Sequence, residues 1–329
     1  MIRRHIYMSA IAATAVLTGC SGSKDNPSPT PTPTSSVTPT PTPTATYTGF
    51  PLAAQTEFNT FDAAISYTGD PATGAVTLGT PITETLTNRV RLATGPSPTV
   101  NTYVMHENVE ETRFATATPT VPSAPANPEF IFRSDDTTTA GKFAQIEFLN
   151  NVVPNTITSD TALALSRVSY ANWWRGDSTS GQKRLTYTTW GYGTLGYDMP
   201  TTGTVTYSVR VVGRLVSVAG NATAINRVTG TATMSTNFAT GVVNVSMTLS
   251  TLPAGGGAAV PYGTFTAQGG IPSGQNQWTG SFTTGSPLSG TLAGGFFGYQ
   301  AEQVGVVFSA AGTFNGADQR LIGVVVGKK

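Results

Sequence analysis

The feature that most constrains the fold is a strict two-residue periodicity in the C-terminal half of the chain. Apolar residues alternate with polar ones over 205–211, 243–249 and 278–282. Successive side chains of a β-strand point to opposite faces of the sheet, so each stretch predicts a strand with one buried and one solvated face. In the third stretch this alternation places Trp278 on the buried face. No segment shows a sustained 3.6-residue period, and the sequence therefore predicts an all-β fold.

The C-terminal segment 289–329 contains three apolar runs that are punctuated by glycine, which predicts three antiparallel strands. It reads Gly-Gly-Phe-Phe-Gly at 294–298, a short spacer, Ala-Glu, a Gly-Val-Val-Phe strand at 305–308 and a last strand that ends in Gly-Lys-Lys. This combination resembles the closing strands of the transferrin-binding protein B type of lipoprotein barrel. Thr-Thr-Trp-Gly-Tyr at 188–192 and a Pro-x-x-Gly-Thr-x-x-Tyr run at 200–207 resemble the opening of the same domain.

The resemblance implies a C-terminal eight-stranded antiparallel barrel, lipocalin-like in shape, beside an N-terminal β-rich handle subdomain. We expect the handle over 48–180 and the barrel over 181–329. Nine candidate strands fall between 185 and 326, so one of them would be half of a bent strand or would lie outside the barrel. An eight-stranded barrel is filled by its side chains or holds one small ligand. A transmembrane barrel is the alternative, but the outward positions carry Thr, Ser, Asn and Arg rather than an apolar band.

The N-terminus carries an export signal. Two arginines at 3–4 precede an apolar run at 6–17, which is too short to span a bilayer and is typical of a secretory signal peptide. Leu-Thr-Gly-Cys at 17–20 resembles a bacterial lipobox, which implies a lipid anchor on Cys20. Cys20 is the only cysteine, which excludes an intramolecular disulfide. Ser21 rather than aspartate follows it, and this favours the outer membrane.

We therefore assign residues 1–19 to a lipoprotein signal peptide and 20–47 to a linker. The linker repeats Pro-Thr, which favours polyproline II and, at roughly 3.1 Å per residue, a reach of up to ~85 Å. Loss of the two N-terminal arginines leaves 16 basic against 17 acidic residues. This balance, without a basic cluster, argues against a nucleic-acid partner. Charged residues make up 11% of the chain, against about 25% in ordinary domains, so uncharged polar residues must cover the surface.

Residues suited to catalysis are few. After export the chain retains one histidine, His106, and no thiol other than Cys20, which argues against a His- or Cys-based metal site or catalytic triad. No phosphate loop, dinucleotide fingerprint or G-x-S-x-G motif occurs, so we expect no cofactor and no enzymatic activity. Asp135 and Asp136 precede three threonines, and such a pair is more typical of a polar turn than of a calcium site.

Aromatic residues near the expected junction of handle and barrel form the candidate ligand-binding set: Trp173, Trp174, Arg175, Tyr192 and Tyr197. Adjacent tryptophans on a strand point to opposite faces, so one would be buried and the other exposed. Burial of both at the junction is the alternative. Exposed aromatic residues next to arginine are enriched at interaction hot spots.

Together these features predict a lipid-anchored outer-membrane protein of the cell surface that binds a ligand for a partner transporter in the same membrane. The resemblance implies iron-related cargo, while a host or environmental solute remains open. The chain has room for a single handle-plus-barrel lobe. The alternative is a cell-surface interaction or adhesion module with no transport role.

Overall fold

The structure is a computed structural model that describes residues 46–92, 103–107, 110–114, 119–153, 158–176, 181–254 and 256–329. The predicted signal peptide, Cys20 and nearly all of the linker lie outside these ranges. Residues from Ala45 to Lys329 belong to one unit. Its strands form two sheets, and no helix in the described ranges has the length and apolar character needed to cross a bilayer.

The first sheet, here called the handle sheet, has nine strands in the order β5-β4-β3-β1-β9-β8-β7-β6, with β2 paired to the end of β1. The strands are β1 (Thr56–Thr68), β2 (Thr77–Leu78), β3 (Ile82–Leu92), β4 (Tyr103–Glu107), β5 (Glu110–Phe114), β6 (Glu129–Asp135), β7 (Phe143–Leu149), β8 (Val168–Gly176) and β9 (Gln182–Gly191).

The second sheet closes into an antiparallel barrel of eight strands, which confirms the predicted architecture. The strands are β10 (Thr204–Ala219), β11 (Ala222–Asn237), β12 (Val242–Leu252), β13 (Val260–Gly270), β14 (Gln277–Phe282), β15 (Ser289–Phe297), β16 (Gln303–Phe314) and β17 (Ala317–Lys328). Short 3-10 turns lie at Asn150–Val152, Thr161–Leu163, Gly196–Asp198 and Tyr299–Ala301.

Strand β9 is the ninth candidate strand, and it belongs to the handle sheet. It pairs with β1 on one side and with β8 on the other. The boundary predicted at 181 is therefore wrong, because the division between the sheets falls between Gly191 and Thr204. The two-residue alternation of β9 gives no sign of this, since a strand buries one face in the same way whichever sheet it joins.

The barrel interior is a closely packed apolar core. Trp278 is 1% exposed and packs inside it, as the alternation predicts. The inward residues of the two other alternating stretches join the same core, including Tyr207, Met247 and Leu249. The barrel is therefore filled by its own side chains.

A second apolar core joins the handle sheet to the outer wall of the barrel. Phe61, Ile65, Leu185 and Tyr187 of β1 and β9 pack against residues of β10 and β15–β17. The Gly-Gly-Phe-Phe-Gly motif takes part directly, because a Cβ at Gly295 would lie 2.8 Å from the ring of Phe61. Glycine at this position thus permits the close approach of the two sheets.

A buried charge cluster crosses the same junction. Arg214 of β10 forms an ion pair with Glu147 of β7, and Arg227 of β11 forms one with Glu129 of β6. The Tyr170 hydroxyl donates to Glu129 Oε1, the carboxylate oxygen that Arg227 does not contact, at 2.9 Å. Burial raises the pKa of Glu129, while the guanidinium of Arg227 opposes this shift. The barrel supplies both cations and the handle sheet both carboxylates, so the cluster fixes how the two sheets meet.

A third apolar core fills the inner face of the handle sheet, which curls around it. Its members come from every strand of the sheet except β2, and they include Tyr103, Phe132, Phe148, Trp173 and Trp190.

Candidate functional site

The five residues of the candidate ligand-binding set do not form one patch. Trp174 lies opposite Leu185 in the pairing of β8 with β9, whereas Tyr192 follows the far end of β9. Seven strand residues separate these two levels, which corresponds to roughly 23 Å. Trp173, Trp174 and Arg175 thus lie at one end of the handle sheet and the two tyrosines at the other.

The two tryptophans point to opposite faces of β8, as predicted, but neither is fully exposed. Trp173 is 0% exposed within the inner core of the handle sheet. Trp174 is partly buried at the junction with the barrel, where its Nε1 donates to the Tyr67 hydroxyl at 3.2 Å. The guanidinium of Arg214 lies 5.1 Å from the Trp174 ring. The alternative prediction, that both rings are buried at the junction, therefore fits the structure better than the prediction that one ring is exposed.

Tyr192 and Tyr197 differ in exposure. The ring of Tyr192 packs against Phe50 and Phe58 with centroid distances of 5.7 and 5.5 Å, and burial raises the pKa of its hydroxyl. Tyr197 lies in the turn Gly196–Asp198 and is 72% exposed. Nearby, the Tyr47 hydroxyl donates to Asp198 Oδ2 at 2.8 Å and accepts from the Leu195 amide at 3.0 Å. The residues that connect the lobe to the preceding chain therefore lie at this end of β9.

A cleft opens at the other end of the handle sheet, and the sequence did not predict it. Its volume is about 540 Å³. It lies at the edge of the sheet where β5, β7 and β9 begin and where β6 and β8 end. Its walls include Glu110, Ser134, Lys142, Ala144, Arg175 and Arg184. The ring of Trp173 also contributes to the lining.

Ion pairs hold the charged residues of the cleft. Arg175 Nη2 pairs with Glu107, and its Nε lies 2.9 Å from Glu110 Oε2. Arg184 Nη1 approaches the same Glu110 oxygen at 3.3 Å. Burial lowers the pKa of Arg175, and the carboxylates of Glu107 and Glu110 oppose this shift. The cations of the cleft are thus paired within the chain itself.

Arg175 also stacks on an aromatic ring. Its guanidinium carbon lies 3.7 Å from the centroid of the Trp173 ring. This cation–π contact and the two carboxylate pairs fix the guanidinium plane. Arg175 Nη1 and Trp173 Nε1 nevertheless have no hydrogen-bond partner. Both nitrogens are buried, so the Arg175 guanidinium and the Trp173 indole are held in fixed positions within the wall of the cleft.

The loop with Asp135 and Asp136 forms one rim of the cleft. Asp136 Oδ1 accepts from the Thr138 and Thr139 amides at 2.9 Å each and from the Thr138 hydroxyl at 2.7 Å. These bonds, with Lys142 at 3.2 Å, lower the pKa of Asp136. The carboxylate thus closes a local turn, as predicted. Among the described residues, no three or more His, Cys, Asp or Glu side chains are grouped in a way that could hold a metal ion.

The fold and the cleft define the class of protein: an all-β lobe in which a filled barrel supports a second, curled sheet with a polar cleft. No protein-family profile and no curated protein sequence matches the chain. Among solved structures it is similar to a mutant transferrin-binding protein B from Haemophilus parasuis Hp5, with a TM-score of 0.39 and 13% identity over 77% of this chain and 48% of that one.

Two further structures of this kind are similar to the chain. The isotype 1 transferrin-binding protein B from serogroup B Neisseria meningitidis gives a TM-score of 0.37 and 14% identity over 82% of this chain and 44% of that one. Intact Ap-TbpB, with its N and C lobes, gives a TM-score of 0.35 and 10% identity over 84% and 78% of the two chains. The chain thus spans less than half the length of the Haemophilus and Neisseria structures.

Proposed function

We propose that this protein is a lipid-anchored outer-membrane lipoprotein that captures a ligand at the cell surface for a partner transporter, without catalysing a reaction. The observation that carries the proposal is the cleft of about 540 Å³ in the handle sheet. Ligand sites are concave and hold polar groups in fixed positions. This cleft is concave and is lined mainly by charged and polar side chains, together with Phe143, Ala144 and Trp173.

The position of the cleft supports the same function. Gln182 and Arg184 at the start of β9 line the cleft, whereas Tyr47 contacts residues just beyond the end of β9. The ten residues of β9 correspond to roughly 33 Å between these two ends. A tether attached through the linker would leave the lobe at the end remote from the cleft, so the cleft would face the medium.

Because side chains fill the barrel interior, we assign ligand binding to the handle sheet. Trp173 and Arg175 of the candidate set contribute to its cleft, and Tyr197 offers an exposed aromatic ring at the other end of the lobe. Trp174 and Tyr192 would act by holding the sheet in place. The nature of the cargo, iron-related or another solute, belongs to the proposal and follows from the sequence resemblance alone.

A capture experiment tests the proposal. The purified chain is immobilised, incubated with spent culture medium or host fluid and washed, and the bound species are identified by mass spectrometry. We expect at least one species that free chain displaces in proportion to its concentration. Absence of any displaceable species would exclude ligand capture.

Adhesion is the second candidate function, and the barrel surface favours it. The outward positions of β11–β14 carry a face of uncharged hydroxyl and amide side chains, including Thr231, Thr248, Thr264 and Thr279, all of which are exposed. A deletion strain that loses surface attachment but grows normally when the captured species is limiting would support adhesion instead of transport.

A further inference from the structure

The exposed apolar side chains of the lobe are concentrated at one end. Six large apolar residues are exposed in the described ranges, and three of them, Leu195, Tyr197 and Tyr299, lie where the chain enters the lobe. Their exposed fractions are 42%, 72% and 44%. Apolar side chains that are exposed singly need no explanation, whereas a group in one place marks an interaction surface. We call these three residues the end surface.

The end surface is continuous, although its members come from two turns. Leu195 and Tyr197 belong to the turn that follows β9, and Tyr299 belongs to the turn between β15 and β16. The two turns are in contact. Tyr47 joins them, because its ring lies 6.4 Å from the Tyr299 ring while its hydroxyl accepts from the Leu195 amide at 3.0 Å. The three exposed side chains therefore form one surface.

The backbone that carries Tyr299 is strained and firmly held. Gln300 and Ala301 both have positive φ angles, of 48° and 58°, which residues other than glycine rarely adopt. The Tyr207 hydroxyl donates to the Ala301 carbonyl at 2.9 Å, and Lys329 Nζ donates to the Gln300 carbonyl at 2.9 Å. Strain of this kind is concentrated at functional sites. A side chain on a fixed turn also loses less entropy when it binds.

The path of the chain indicates what this surface faces. Thr46 is the first described residue, and Tyr47 already contacts the end surface. The 26 residues from Cys20 to Ala45 connect this point to the proposed lipid anchor. At roughly 3.1 Å per residue they set a maximum distance of ~80 Å between lobe and bilayer, and they set no minimum. Of the surfaces of the lobe, the end surface is therefore attached nearest to the bilayer.

The chemistry of this end suits a bilayer surface. Tyrosine rings are enriched at membrane–water interfaces, where the ring contacts apolar chains and the hydroxyl stays in the headgroup layer. Lys328 and Lys329 lie at the same end, and within the described ranges neither pairs with an Asp or Glu side chain. Of the nearby carboxylates, Asp198 accepts from Tyr47 and Glu302 pairs with Arg167 at 2.7 Å. The two lysine amines can thus approach lipid phosphates.

We propose that the end surface rests on the bilayer, with Leu195, Tyr197 and Tyr299 in the headgroup layer. This inference rests on the proposed lipid anchor and is independent of what the cleft binds. Three side chains alone give a weak contact. The linker makes that contact intramolecular, at an effective concentration in the millimolar range, so a weak contact suffices. The lobe would then lie on the membrane and the cleft would point away from it.

Quenching by lipid in a tethered chain tests the inference. Residues 20–329 with Cys20→Ser are attached through an N-terminal oligohistidine tag to nickel-chelating lipid, in vesicles of phosphatidylethanolamine and phosphatidylglycerol, so the assay does not depend on acylation. Leu195→Cys then provides the single thiol for a nitrobenzoxadiazole dye. Brominated phospholipid should quench about half of its fluorescence or more. The same dye on Ser134→Cys, exposed at the cleft roughly 33 Å away, should remain unquenched.

Matched variants of the Leu195→Cys chain show whether the tyrosines make the contact. Tyr197→Ser/Tyr299→Ser should reduce the quenched fraction at least about fivefold, and Tyr197→Ser alone should reduce it about twofold. Val260→Ser is the control, because it removes another exposed apolar side chain at the start of β13, roughly 33 Å from the end of that strand beside the Gly196 turn. It should leave quenching unchanged. Thermal unfolding confirms that each variant is folded.

Several outcomes would overturn the inference. An unquenched dye at position 195, equal quenching at 195 and 134, or full quenching in the double tyrosine variant would each exclude the end surface as the membrane contact. An unquenched dye together with a dimer in sedimentation would assign the surface to a second copy of the chain.

The outcomes also separate this inference from the proposed function. Absence of palmitate on Cys20 would remove the proposed anchor, whereas quenching in the tethered chain would still show that this surface binds a bilayer. An unquenched dye in a chain that captures a displaceable species would leave ligand capture standing.

Discussion

The buried ion pair between Arg214 and Glu147 yields a sharp prediction about how the two sheets are held together. The Arg214 side chain is 8% exposed and that of Glu147 is 2% exposed. Arg214→Met keeps most of the aliphatic stem but leaves the Glu147 carboxylate without its principal cation. Loss of one partner of a buried pair costs about 3–5 kcal/mol, chiefly because the remaining charge is uncompensated.

The surroundings of Glu147 place the expected loss at the lower end of that range. Gln145 Nε2 still donates to Glu147 Oε1 at 2.6 Å, and Asn172 Nδ2 donates to Oε2 at 3.4 Å. Arg227 Nη2 remains 3.9 Å from Oε2. We therefore expect Arg214→Met to lower the free energy of unfolding by about 3 kcal/mol. Urea unfolding followed by tryptophan fluorescence measures this loss as a shift of the midpoint at constant slope.

Two controls decide whether the reasoning is correct. Arg113→Met breaks a surface pair with Glu111, in which Arg113 is 60% exposed, and should cost less than about 1 kcal/mol. The double variant Arg214→Met/Glu147→Gln removes the orphaned charge and should recover part of the loss. A cost below about 1 kcal/mol for Arg214→Met would refute this account of the junction. So would a double variant that loses more free energy of unfolding than the Arg214→Met and Glu147→Gln variants lose together.

Three other predictions follow from the sequence and the structure. Cys20→Ala should abolish incorporation of labelled palmitate, and labelling of the variant would contradict the assigned lipobox. Trp278→Ala should lower the free energy of unfolding by about 3–5 kcal/mol in the same urea assay, because the indole fills the barrel core; a loss below about 1 kcal/mol would count against that packing. Burial raises the pKa of Tyr67 to about 12, above its ordinary value of 10.0. The neutral hydroxyl thus contributes stability that is complete below pH 10 and is lost as the pH rises towards 12, so Tyr67→Phe should lose less stability than the parent between about pH 10 and pH 12.

The barrel was predictable because its strands are long and regular. The pairing of β10 with β11 runs without interruption from Thr204 with Asn237 to Ala219 with Ala222, so the alternation stays in phase along the whole strand. In such a strand the apolar positions identify the interior face directly, as Trp278 shows for β14.

Strand β1 escaped prediction for a physical reason. Its pairing with β3 shifts register between Phe58 and Thr60 and again between Thr60 and Asp62. Each shift places one extra residue in β3, which interrupts the regular pairing along this part of β1. The strand also buries Thr60 and Asp62, whose side chains hydrogen-bond to each other. Buried apolar residues alternate only in its second half, at Phe61, Ala63, Ile65 and Tyr67.

The cleft is formed by contacts between residues far apart in sequence, which a local sequence pattern does not predict. Arg175 was selected because it follows two tryptophans, yet its partners Glu107 and Glu110 come from the β4–β5 hairpin, far away in sequence. Opposite charges in one cleft and unpartnered donors on one face arise only when these strands are brought together. Nothing in the spacing of the acidic residues at 107–111 indicates Arg175 as a partner.

The wall shared by the two sheets has a consequence for the order in which the chain folds. Val307, Ile322 and Val324 of β16 and β17 cover the apolar outer face of β1, β8 and β9, although they follow these strands far along the chain. Chains are made from the N-terminus, so the handle strands emerge before β16 and β17, and their apolar face stays uncovered until those two strands follow. During that interval the uncovered face is available to other molecules. A holding chaperone would bind this nascent surface, and its release would coincide with closure of the barrel.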